Sequence, residues 1–275
     1  MSFTEDKVPS FEEKKIHSKN KYNASALDVM NFFAANDIKL ALDTNPYKKK
    51  PNAATNTKAT TSENIGCAII KHVEQKPQNS KNISQLSVLI EEIRAFEGCE
   101  LKKNSINTVI SDGNPNSNIM LIGEAPGATE DELGIPFCGE SGKLLDNIIS
   151  SIGLTRATNV YISNTVFWRP PDNRKPTDAE IAACKPFVER HIALIQPKLI
   201  ILVGSTAGSS LLGKDFQISK MRRNFFEYTN QYLSEPIKAT AIFHPAYLLR
   251  QSSQKKSTWY DVLIIKNFIQ EHKLL

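Results

Sequence analysis

Three polar side chains each stand directly after a run of apolar residues. Glu124 follows Ile119-Met-Leu-Ile-Gly123, Asn164 follows Asn159-Val-Tyr-Ile-Ser163, and His244 follows Ala239-Thr-Ala-Ile-Phe243. A carboxylate, an amide and an imidazole are respectively a charge or base, a paired donor and acceptor, and a switchable donor. Each has an ordinary structural explanation. An acid after a strand caps helices, Asn forms turns, and His-Pro ends strands. The pattern Gly123-Glu-Ala-Pro-Gly127 is weak alone and lacks the lysine of a phosphate-binding loop. Their shared position at strand ends carries the signal.

The elements that position them alternate. Helices are expected over 83–93, 143–152, 178–195 (with Thr177 as N-cap) and 258–270, and a helix enters through Ser205-Thr-Ala207. Between them lie the apolar strands above and Lys198-Leu-Ile-Ile-Leu-Val-Gly204. Uninterrupted apolar strands alternating with helices imply a parallel sheet covered on both faces. In such sheets ligands sit beyond the carboxyl ends of the strands, where all three polar residues fall.

Composition sets the bounds. The 275 residues are 40% hydrophobic, enough for one full core plus an extension. No apolar run approaches the roughly 20 residues that cross a bilayer, and the polar N-terminus has no signal-peptide core. Four cysteines at irregular spacing (Cys67, Cys99, Cys138, Cys184) argue against a disulfide framework and for a reducing, cytoplasmic setting. A net charge of +5 permits a polyanionic partner without demanding one. Residues 1–24 are expected to be disordered. Residues 25–43 read as a short amphipathic helix with Leu27, Met30 and Phe33 as its stripe, 44–82 as polar linker, and 83–275 as the folded domain.

The segments GEAPGATEDELGIPFCGESGKLL, YISNTVFWRPPDNRKPT and FHPAYLLR, in this order over residues 84–275, resemble the uracil-DNA glycosylase superfamily, in particular its family 4. The resemblance implies a three-layer α/β/α sandwich around a central, mainly parallel four-stranded sheet. It also implies a repair enzyme that flips uracil out of DNA and hydrolyses its glycosidic bond, leaving an abasic site. Glu124 would orient or activate water and favour the cationic sugar, and His244 would donate to uracil O2 as charge gathers there. Phe137 would stack on the base, with Asn164 matching O4 and N3–H, and Gly123 and Ala125 leaving room for the deoxyribose. Ser141, Lys143, Ser205, Thr206 and Arg250 are candidate backbone contacts. Lys220, Arg222 and Arg223 form a basic cluster that reads equally as DNA contact or solvated face. Leu248 reads equally as a wedge for the vacated stack or as core. A monomer is expected, with the N-terminal extension a candidate tether to a replication or repair protein. The other readings are a non-catalytic binder of uracil-containing DNA and a covalent trap, for which no additional histidine stands near the motifs.

Family 4 members typically carry a [4Fe–4S] cluster on four cysteines. Here Phe96 and Trp168 stand at two of those positions and Cys99 and Cys184 at the others. The expectation is therefore no cofactor and no metal, with the aromatics packing as core.

Overall fold

The computed structural model describes residues 32–36, 80–213 and 217–275. The predicted segment 1–24, and most of those at 25–43 and 44–82, lie outside them. At the centre are four parallel strands, β2 (Ile119–Gly123), β3 (Tyr161–Asn164), β4 (Leu199–Val203) and β6 (Ile237–Ile242). Two short antiparallel strands, β1 (Ser111–Gly113) and β5 (Phe226–Tyr228), extend the edges, giving the order β1-β3-β2-β4-β6-β5. The sheet therefore has six strands where four were predicted. The two additions are three-residue edges, Ser-Asp-Gly and Phe-Glu-Tyr, too short and polar to read as buried strands.

Side chains on the central strands alternate between two cores. Leu121, Ile162, Ile201 and Ile242 enter one with helices α4 (Glu140–Ser150) and α9 (Lys255–Glu271). Met120, Tyr161, Leu202 and Ala241 enter the other, with α2 (Ser80–Ala95) and α5 (Asp178–Ile195). Covering both faces is why these strands are apolar throughout. Thr177 caps α5 as predicted: its hydroxyl accepts from the Glu180 N–H at 3.2 Å, and the Glu180 carboxylate accepts from the Thr177 N–H at 2.7 Å.

The helical residues 32–35, α1, pack into the first core. Phe32 is fully buried against Trp259, with ring centroids 4.5 Å apart, and Phe33 enters the same cluster. Lys255 Nζ donates to the Asn36 carbonyl at 2.6 Å, and Asn147 Nδ2 donates to that of Ala35 at 3.0 Å. Among the described residues no helix is long and apolar enough to cross a membrane.

Candidate active site

The chain passes from β2 to β3 on one side of the sheet and then to β4 on the other, so the strand order reverses at β2. A crevice opens at such a switch point. Here it is a cavity of about 1060 Å³ lined by Glu124, Ala125, Phe137, Ser141, Asn164, Ser205, His244 and Arg250. Eight of the eleven site residues read from sequence thus meet in one hollow. Gly123 is not a lining residue but borders two that are. Register pairs Gly123 with Asn164, and a Cβ there would stand 2.5 Å from both Asn164 Oδ1 and the Phe137 ring. Lys143 and Thr206 are not among the lining residues; Lys143 is exposed and paired with Glu140 at 2.7 Å.

Each candidate side chain is held by its strand end. The Glu124 carbonyl accepts from the Thr165 hydroxyl at 2.6 Å and the Val166 N–H at 3.1 Å, which prolongs the β2–β3 pairing and fixes the carboxylate's root. Asn164 is 1% exposed, and its Oδ1 is sealed from water with no hydrogen-bond partner. Such an atom is costly to leave alone and is a natural acceptor for a ligand donor. His244 Nδ1 accepts from the Ala246 N–H at 3.2 Å, which leaves the ring proton on Nε2. Burial, aided by the positive charge of Arg250, pushes its pKa down to about 4, so the imidazole is neutral at pH 7. Gly204, at φ +99°, admits it: a Cβ there would lie 3.0 Å from that of His244. Phe137 and His244 stand with ring centroids 5.8 Å apart.

Three features escaped the sequence reading. Glu130 Oε1 accepts from the N–H groups of Cys138 (3.0 Å) and Gly139 (2.8 Å), and Oε2 from that of Gly127 (3.2 Å), so one carboxylate joins the two loops facing the cavity. The signal was an acid three residues after a helix-opening glycine. Arg222 also lines the cavity. It is buried, donates through Nε to Asp261 Oδ2 at 2.6 Å, and lies 3.7 Å over the Phe243 ring. The reading of Lys220, Arg222 and Arg223 as a solvated face therefore fails at Arg222: Asp261 on α9 supplies a buried counter-charge that a local pattern does not display. Arg156, which grips the Phe137 loop, gave no sequence signal. The alternative of Leu248 as wedge is also corrected, since it is 0% exposed within the core; its neighbour Leu249 is exposed.

The residues at the four cluster positions do not fit a [4Fe–4S] centre. Trp168 is fully buried, its Nε1 donating to Thr108 Oγ1 at 3.1 Å, and it stacks on Phe96 at 6.4 Å, which in turn meets Phe187 edge-on at 4.8 Å. That leaves Cys99 and Cys184, two buried free thiols hydrogen-bonded to each other; their contact lowers the Cys99 pKa and, with burial, raises that of Cys184. Two sulfurs cannot replace four.

A switch-point cavity with a carboxylate, a buried amide, an aromatic ring and a neutral imidazole in its lining is the kind of mixed apolar and polar hollow in which α/β enzymes hold small ligands. Residues 110–266 match the model of the uracil DNA glycosylase superfamily. The chain belongs to that superfamily. It is 36% identical over 189 residues to a type-4 uracil-DNA glycosylase of Thermotoga maritima, covering 68% of this chain and 95% of that one. It is 40% identical over 189 residues to a type-4 enzyme of Saccharolobus solfataricus (67% and 86% covered), and 32% identical over 114 residues to a type-5 uracil-DNA glycosylase of Thermus thermophilus (36% and 52%).

Proposed function

We propose that this chain is a uracil-DNA glycosylase that excises uracil from DNA in base excision repair. The observation that carries the reading is Asn164, a buried amide in the cavity lining whose Oδ1 has no hydrogen-bond partner. Uracil supplies the missing partner through N3–H, while the amide N–H₂ donates to O4; cytosine presents the opposite pattern. The flipped base stacks on Phe137, and His244 Nε2–H donates to O2 as the leaving base becomes anionic. Glu124 orients water and stabilises the cationic sugar. A neutral imidazole suits its role, because it donates without adding a second cation beside the sugar. Ser141, Ser205 and Arg250 engage phosphates along the cavity rim, with Lys143 and Thr206 flanking them on the same helices, α4 and α6 (Ser205–Leu212).

The type-4 relatives named above support a uracil-releasing hydrolase; we read it as a monofunctional monomer, and the Phe96 and Trp168 rings support a site without the iron–sulfur cofactor. The three cysteines among the described residues are unpaired, which supports a reducing cytoplasm. The extension before α2 is the candidate contact for replication or repair proteins. The test is incubation with a uracil-containing oligonucleotide, followed by alkaline strand cleavage and denaturing electrophoresis for a protein–DNA adduct. Cleavage at uracil without adduct is expected. Uracil left intact by a folded protein that binds the DNA would refute catalysis, and an adduct would replace hydrolysis with covalent trapping.

A further inference from the structure

Arg156 stands in the connection between α4 and β3, outside the cavity lining, and its guanidinium has no free N–H. Nε donates to Asp146 Oδ1 at 3.1 Å; Nη1 donates to Asp112 Oδ2 at 2.8 Å and to the Pro136 carbonyl at 3.0 Å. Nη2 donates to the Phe137 carbonyl at 2.8 Å and to Asp146 Oδ1 at 2.9 Å. A guanidinium carries five donors in a rigid fork, and all five are engaged. The carboxylates come from β1 and α4 and set the fork's orientation. The carbonyls belong to the segment bearing the stacking ring.

That segment has an unusual backbone. Phe137 sits at φ +51°, in the left-handed region that a bulky residue occupies only where its surroundings over-determine it. Arg156 holds the carbonyls of 136 and 137, and Glu130 holds the N–H groups of 138 and 139. Gly142 closes the third side: a Cβ there would stand 1.8 Å from the Phe137 carbonyl oxygen. Among the described residues, only Arg156 ties this turn to the sheet edge and to the helix at once.

We propose that Arg156 is a positioning residue that keeps Phe137 left-handed and so presents its ring to the flipped base. The proposal rests on the uracil-stacking reading above. A merely structural Arg156, tying β1 to α4, would when lost weaken folding and affect every ligand alike. A positioning Arg156 matters only where the Phe137 ring is used.

The test uses the full chain with Arg156→Met, Arg156→Lys and Phe137→Ala, and with Arg156→Met and Phe137→Ala combined. Four quantities are measured: saturating single-turnover rate, half-saturating concentration, affinity for the same duplex carrying an abasic site, and thermal midpoint. Stacking of one base on an aromatic ring is worth roughly ten- to a hundredfold in affinity. Arg156→Met is expected to lower excision efficiency about tenfold while abasic-site affinity stays within about twofold, and Arg156→Lys to recover part of the loss. In the Phe137→Ala background it should add no more than about a twofold effect. Independent, multiplying losses, or an equal fall in abasic-site affinity, overturn the proposal. A crystal structure of Arg156→Met decides the point without catalysis: Phe137 should leave positive φ, and an unmoved segment 136–138 overturns the proposal. Inactivity of the parent on uracil would instead refute the glycosylase reading and leave this crystallographic result standing.

Discussion

Replacing Asn164 by Asp tests base reading at the atom that carries it. The side chain is 1% exposed, with its Oδ1 against Gly123, so the substitution changes NH₂ to oxygen with little room to turn away. An ionised carboxylate accepts from uracil N3–H but cannot donate to O4. One unmade buried bond costs about 1–3 kcal/mol, which is between about fivefold and about 150-fold in rate. Burial disfavours the charged form and raises the new carboxyl's pKa; once protonated, its O–H replaces the lost donor. The deficit should therefore shrink as pH falls. Single-turnover excision of uracil by parent and variant, with enzyme in excess at about pH 8 and about pH 5.5, measures both effects. The parent at each pH is the control for every other titrating group. Parental activity of the variant near pH 8 refutes Asn164 as base reader, and an equal deficit at both pH values refutes the donor argument.

Glu124→Gln and His244→Ala should each lower the saturating single-turnover rate on the order of 10²–10³, with uracil-DNA affinity little changed. A collapse of affinity at parental rate would make them binding groups instead. Purified protein is expected to be colourless and free of stoichiometric iron, because the Phe96 and Trp168 rings occupy two cluster positions; bound iron near four per chain would refute this. His191, buried against the Tyr161 hydroxyl at 2.9 Å, and His244 both have pKa values pushed by burial to about 4, against about 6.5 unfolded. Between about pH 6.5 and pH 4 the unfolded chain binds more protons, so stability falls as pH falls, by up to about 1.4 kcal/mol per pH unit for each histidine. Equal denaturation midpoints at pH 7 and about pH 5 would refute it.

What sequence revealed of this protein follows from where its information resides. The four central strands were readable because both faces are covered, which forces an unbroken apolar run. β1 and β5 acquire strand character only from a neighbour's hydrogen bonds, and three residues leave no period to read. Glu124, Asn164 and His244 were readable because each interrupts an apolar run at its carboxyl end. Leu248 was ambiguous because Leu248 and Leu249 are identical in type and opposite in exposure; only the packing of a single helical turn decides between them. Arg156 was invisible for a different reason. Two of its acceptors are main-chain carbonyls about twenty residues earlier, and a carbonyl has no side-chain identity for a pattern to register. The groups proposed to meet the base are thus written in residue type, whereas the group proposed to aim Phe137 acts on backbone geometry. A substitution at Arg156 is accordingly expected to leave every recognisable motif intact while loosening the ring proposed to stack on the base.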